Sequence, residues 1–210
     1  GLNKVFPEAG FITEEETVAQ ERKEWNWIID PLDGTTNFLF DLPIFAVSVA
    51  LYQNNRPQLG VIYEIGQDEL FTAYAGGGAF CNGRSISVSP QNELAKSLIA
   101  TGFPYYDFKR LNEFNELLAH LYTHTRGVRR LGSAATDLAY VAAGRFNGFF
   151  EYGLSPWDVA AGILLVREAG GVVGDFNGED KALFGGEICA SAEAIHQDFS
   201  SLVKQYMLED

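Results

Sequence analysis

Three runs rich in β-branched and aromatic residues, FAVSVALY (45–52), QLGVIYEI (58–65) and ELFTAYA (69–75), follow one another with only short turn-forming stretches between them. Runs of this composition bounded by turn residues read as strands. Gln53 to Pro57 reads as a hairpin turn, and AGGGAFCNGR as a glycine-rich bend into SISVS (85–89). The pattern then changes. SLIATGF (97–103) reads as a buried strand and RLNEFNELLAHLYTHT (110–125) carries the apolar period of a helix. AATDLAYVAAGR (134–145) and WDVAAGILLVREAGG (157–171) are further helices, the second stopped by glycines; GVVGDF and GEICAS are strands, and AIHQDFSSLVKQYM is a closing helix. Together these predict an α/β fold with antiparallel elements. It reads as one domain, with an antiparallel half at 1–95 and an α/β half at 96–210.

A chain of 210 residues, 47% hydrophobic, has enough material for a real core; size scaling puts burial at about 70% of the unfolded surface. It carries no internal repeat and no apolar run of membrane-spanning length, and GLNKVFPEAG lacks the regions of a signal peptide, so a cytoplasmic location is expected. Cys81 and Cys189 lie far apart without C-x-x-C spacing and read as small buried hydrophobes. The formal net charge of −13 argues against a nucleic-acid surface. The one basic cluster, Arg126, Arg129 and Arg130, reads as flanking a strand or making ion pairs. His120 and His124 stand four apart on a helix without a third ligand and read as surface or packing residues. An acidic protein still binds phosphate esters if cations intervene, so the placement of carboxylates becomes the central question.

WIIDPLDGTTNF, from Trp27 to Phe38, sets an apolar strand against two aspartates. WII reads as the strand and DPLDGTTNF as the turn leaving it toward a short helix. Asp30 and Asp33 then sit at the carboxyl end of a strand, where α/β sheets place ligands. Pro31 stiffens the turn, Gly34 permits close approach and Thr35 adds a hydroxyl. Taken alone, D-G-T is an Asx turn or helix cap. Two convergent carboxylates, however, repel and raise each other's pKa unless a cation lies between them, and a divalent metal resolves the conflict. Glu14, Glu15 and Glu16, and Asp158 in SPWDVAAG, are further acids that could complete such a site. Each alone reads as a solvated face or a helix-start charge.

FITEEE, WIIDPLDGTTNF and SPWDVAAGILLVREAGG occur in this order, with LIATGFP, RRLGSAATDLAYVAAGRFNGFFEYG and GGVVGDF between or after them. The set resembles the inositol monophosphatase family of magnesium-dependent, lithium-sensitive phosphatases. Thr36-Asn37-Phe38 after the D-P-L-D-G-T string is similar to that branch rather than to the fructose bisphosphatase or nucleotide bisphosphatase branches. The resemblance implies a layered αβαβα sandwich, a homodimer, and hydrolysis of inositol monophosphate or a related small polyol phosphate. It implies two or three Mg²⁺ ions, one held by Glu14, Asp30 and the backbone carbonyl of Leu32, another by Asp30, Asp33 and Asp158. Thr35 and Glu14 would orient the attacking water and take its proton, and the N–H groups of Gly34 and Thr35 would hold phosphate oxygens. Gly132, Ser133 and Ala134 would face the sugar-like hydroxyls, with Glu151 accepting hydrogen bonds from the ring. Without the resemblance, Ser133 reads as a helix cap and Glu151 as a surface acid at a strand end.

Two departures from the family pattern stand out. Thr13 occupies the place of a usual glycine before the paired glutamates, and the family's N-terminal helical segment with its D-x-V-T-x-x-D stretch does not occur, so the first layer of the fold is expected to be incomplete. Phosphatases of fructose bisphosphate, nucleotide bisphosphate or histidinol phosphate are the enzymatic alternatives, and a non-catalytic regulatory protein of the same fold is another. A pure binding module would not need both Glu14 and Thr35.

Overall fold

Asn54 and Asn55, both left-handed with φ of 48° and 62°, close a two-residue turn between strands β3 (Ala46–Gln53) and β4 (Arg56–Glu64) in a computed structural model of the chain. Two successive positive φ values match the twist of antiparallel strands, and asparagine tolerates them. Residues 1–15, 22–105 and 107–208 are described. Among them, β1 (Gly10–Thr13) and β2 (Trp25–Asp33) precede this hairpin, and β5 (Glu69–Tyr74), β6 (Gly78–Cys81) and β7 (Arg84–Ile86) follow it. These seven strands form one sheet in sequence order, antiparallel except for the parallel β1–β2 pair. The glycine-rich bend is therefore partly strand: a tight turn at Asn82 and Gly83, again both at positive φ, folds β6 back onto β7.

The second sheet has the order β11-β12-β10-β8-β9, built from β8 (Leu98–Thr101), β9 (Gly127–Arg129), β10 (Gly148–Tyr152), β11 (Gly171–Gly174) and β12 (Glu187–Ala192). The helices are α1 (Leu2–Val5), α2 (Thr35–Leu39), α3 (Leu111–His124), α4 (Ala134–Ala142), α5 (Pro156–Glu168), α6 (Ala182–Gly185) and α7 (Glu193–Leu208). Among the described residues, none is long and apolar enough to cross a membrane.

Burial explains the layering. Val159 to Val166 of α5 are buried without a break, so this helix has no solvent face and must lie inside the molecule. It packs with α4 between the two sheets, while α3 and α7 cover the far side of the second sheet through Phe114, Leu117, Phe150 and Phe199. The result is a layered sandwich of sheet, helices, sheet and helices. On β3 the inner residues Ala46, Ser48, Ala50 and Tyr52 alternate with Val47, Val49 and Leu51, which form a half-exposed apolar outer face.

Candidate active site

The strand β2 does not stop at Ile29, as a turn beginning at Asp30 would require; it runs through Pro31 to Asp33. Asp30 pairs with Ser48 and Asp33 with Ala46, so β2 uses one residue more than β3 over this stretch. A strict strand would send Asp30 and Asp33 to opposite faces, and the extra residue cancels that alternation. Pro31 has no N–H to lose where the ladder is interrupted. Both aspartates consequently face inward with the buried Ser48 and Ala46, and are 2% and 9% exposed.

Asp158, in the first turn of α5, meets them from the opposite layer: one oxygen from each of Asp30, Asp33 and Asp158 lies within 4.8 Å of the others. Local donors orient each carboxylate. Leu32 N–H donates to Asp30 Oδ1 at 2.8 Å, and Ser155 N–H to Asp158 Oδ2 at 2.7 Å. Asp33 Oδ2 accepts from the Ser133 hydroxyl at 2.5 Å and from Ala135 N–H at 2.8 Å, which ties the β2 end to the start of α4. Among the described residues no Lys or Arg forms an ion pair with any of the three. Burial, followed by the charge of Asp33, pushes Asp30 up to about 9. Burial also raises Asp33 to about 6 and Asp158 to about 7 against their donors. These are carboxylates brought together at an electrostatic cost and left without an ion-pair partner among the described residues.

Glu14 follows the end of β1, is exposed, and stands on the rim rather than inside the three-aspartate cluster. Glu15 is exposed as well, and Glu16 lies outside the described residues. Gly34 turns the chain out of β2 at φ 88°, where a side chain would also press on Ile44 O at 3.0 Å. Thr35 opens α2 and its hydroxyl donates to the Leu32 carbonyl at 2.9 Å. Glu14, Asp33, Thr35, Ser133, Glu151 and Asp158 line one cavity of about 400 Å³, with Gly34, Gly132 and Ala134 in its wall. A larger cavity, about 630 Å³, is lined by Tyr52, Ile163, Arg167 and Phe184 and has no acid cluster among the described residues.

Glu151 is not a surface acid. On β10 Phe150 and Tyr152 point to the outer helices, so Glu151 shares the inner face with Phe149 and is 9% exposed. Its carboxyl lies directly on Gly102, where an added Cβ would meet Oε1 at 1.9 Å. Burial, then the charge of Asp33, holds its proton well above the usual carboxylate range. Ser133 caps α4, accepting from Thr136 N–H at 3.3 Å, as the residues alone suggest. His120 and His124 stack at 4.1 Å beside Tyr206, away from the cavity.

Two groups were not legible beforehand. Asp137, a first-turn acid of α4, is fully buried, and burial followed by the charge of Glu151 raises its pKa well above the ordinary value. Arg130, expected at a strand flank or in an ion pair, does follow β9 directly, and from there it lines the cavity. An arginine of a basic cluster two residues before G-S-A gives no local signal of this.

The model of the inositol monophosphatase family matches residues 1–208. The chain belongs to the inositol monophosphatase family. It is 47% identical over 205 residues to the inositol-1-monophosphatase of Mesorhizobium japonicum, covering 97% of this chain and 77% of that protein. It is also 47% identical over 191 residues to the Nus factor SuhB of Salmonella typhimurium, covering 90% and 71%. Among solved structures, inositol monophosphatase from Anabaena (Nostoc) superposes with a TM-score of 0.90 at 44% identity, covering 97% of this chain and 81% of that one. The donor set of this inositol monophosphatase family member is all oxygen, with Asp30 and Asp33 buried and Asp158 half-buried, and has no partner cation among the described residues, which suits a hard divalent ion.

Proposed function

We propose that the chain is a Mg²⁺-dependent phosphomonoesterase acting on inositol monophosphate or a related small polyol phosphate. The observation that carries the reading is the meeting of Asp30, Asp33 and Asp158 within 4.8 Å, two of which, Asp33 and Asp158, line a cavity together with Glu14, Thr35 and Glu151. Asp30, Asp33 and Asp158 would hold the ions, with Glu14 and the Leu32 carbonyl on the open side. Bound Mg²⁺ would supply positive charge to the phosphate and lower the pKa of water. Thr35 then orients the attacking water, and Glu14 takes its proton. The N–H groups of Gly34 and Thr35 steady the phosphate oxygens. Water oxygen bonds to phosphorus, the ester P–O bond breaks, and the polyol leaves as an alkoxide that is protonated. Glu151, with Gly132 and Ala134, faces the leaving polyol; Ser133 acts by holding Asp33 rather than by touching substrate.

We further take the protein to be a cytoplasmic homodimer. Phe38, Leu39, Phe40 and Leu42 are 50%, 70%, 73% and 53% exposed around α2, an apolar patch that a second copy would cover.

The test is a phosphatase panel with Mg²⁺ or EDTA, on wild type and Asp158→Asn. Turnover of inositol 1-phosphate should require Mg²⁺, and Asp158→Asn should lower kcat/KM about a hundredfold or more, because electrostatic stabilisation by a metal is worth several kcal/mol. Full activity in EDTA would sink the reading. A second reading rests on the relatives named Nus factor SuhB: the fold would serve regulation through a partner protein. Partner binding that survives in Asp158→Asn while turnover is lost supports it.

A further inference from the structure

The acidic cavity contains one basic side chain. Among the described residues lining it, only Arg130 is cationic, in a protein of net charge −13. Its guanidinium carbon lies 5.2 Å from the ring centroid of Phe103 and 5.2 Å from that of Tyr105. Nη1 comes to 2.8 Å from where a Cβ on Gly132 would stand, so Gly132 leaves the room the group occupies. Arg130 forms no ion pair among the described residues, and its buried Nε has no hydrogen-bond partner.

Aromatic contacts of this kind use the faces of a guanidinium and leave its in-plane N–H groups unspoken for. A half-buried arginine whose guanidinium faces a ligand cavity is well suited to a fork-shaped anion, a carboxylate or a phosphate, because two parallel N–H donors fit two oxygens. Here the described residues supply no such anion within ion-pair distance. The missing partner is then a group that enters with the ligand. The reacting phosphate is provided for elsewhere in the cavity, by the aspartates and the start of α2. Arg130 stands with Glu151, Gly132 and Tyr105 on the wall assigned above to the polyol.

We propose that Arg130 is a specificity-determining residue that receives a second anionic group, a phosphate or carboxylate, carried by the polyol, so that the site favours polyol bisphosphates over neutral-ring monoesters. This rests on the phosphatase reading of the same cavity and narrows its substrate class. The competing role for Arg130 is purely internal: it lies in the field of Asp137 and Glu151 and offsets their charge. That role would affect every ester alike.

The experiment measures kcat/KM in Mg²⁺ for inositol 1,4-bisphosphate, fructose 1,6-bisphosphate, inositol 1-phosphate and an aryl phosphate, on wild type, Arg130→Gln and Arg130→Lys. At least one bisphosphate should exceed inositol 1-phosphate in the wild type. Its kcat/KM relative to the aryl phosphate should fall about ten- to a hundredfold in Arg130→Gln, the range of a charge-assisted hydrogen bond, and by less in Arg130→Lys. Equal losses across the panel, or a wild type indifferent to the second anion, overturn the inference while leaving the phosphatase reading intact. A wild type that hydrolyses none of the esters overturns the phosphatase reading. Thermal shifts in Ca²⁺ with the same esters then decide the inference separately: larger protection by a bisphosphate that is lost in Arg130→Gln supports it, and equal protection by all esters ends it.

Discussion

At the scale of single residues, the site is held in a state of electrostatic tension. Asp30, Asp33 and Asp158 keep their protons up to about 9, 6 and 7, against 3.8 for an ordinary aspartate, with burial the leading cause for each. Between pH 4 and 9 the folded chain therefore binds more protons at these sites than the unfolded chain does, and stability contributed by them falls as pH rises through that window. A divalent cation bound there, as proposed, would replace the protons and reverse the trend. The melting temperature in EDTA should accordingly drop between pH 5.5 and 8, and the gain from adding Mg²⁺ should be larger at pH 8. Asp30→Asn should flatten the EDTA slope. A melting temperature in EDTA that climbs over the same range would mean that the three acids ionise independently.

Among the elements, α5 decides the geometry because it carries Asp158 and has no freedom to move. It seats on a row of small residues across the first sheet, where Ala50, Gly60, Ala73 and Ala79 pair in turn on β3, β4, β5 and β6. A Cβ on Gly60 would stand 2.8 Å from the Ala161 carbonyl oxygen, and a backbone atom in a buried helix cannot swing aside. Tyr52 adds a hydrogen bond to the Ala160 carbonyl at 2.9 Å from the same side. Gly60→Val should thus lift the helix and destabilise the fold by about 1–3 kcal/mol, the usual range for overpacking. Because the start of α5 moves with it, the variant should also bind Mg²⁺ more weakly. Urea unfolding and Mg²⁺ titration measure the two effects; a wild-type midpoint would show that the seat is loose.

For the whole molecule, the active-site turn and the exposed apolar patch are parts of one short segment. Thr35 begins α2, and Phe38 to Leu42 continue it onto the surface. A second copy docked there would brace the helix that starts at the proposed phosphate site. Leu39→Asp with Phe40→Asp should raise the dimer dissociation constant at least about tenfold, since buried apolar and aromatic anchors dominate such interfaces. Sedimentation velocity over a concentration series reads this directly. A double variant that sediments as the wild type does, whether as dimer or monomer, removes the patch from the interface.

Much of this architecture is written locally. The strand runs of 45–75, the Asn54-Asn55 turn and the buried helix from Trp157 follow from side-chain period and turn chemistry, which act over a few residues. The identity of the clustered acids is legible only through the family resemblance that D-P-L-D-G-T and S-P-W-D carry; taken alone, Asp158 reads as a helix-start charge. What the string did not disclose is how Asp30 and Asp33 share a face. It reads as a turn, and only pairing with β3 shows a strand with one extra residue. Glu151 reads as a strand-end acid because β10 is bounded by turn residues; it is buried against Gly102, which lies far away in sequence. Arg130 entered the cavity for the same reason, its place being set by Phe103, Tyr105 and Gly132. Local sequence determines which elements form and which chemistry they carry, but the direction in which a side chain finally faces is decided by long-range packing, where contacts between distant residues outweigh local preference.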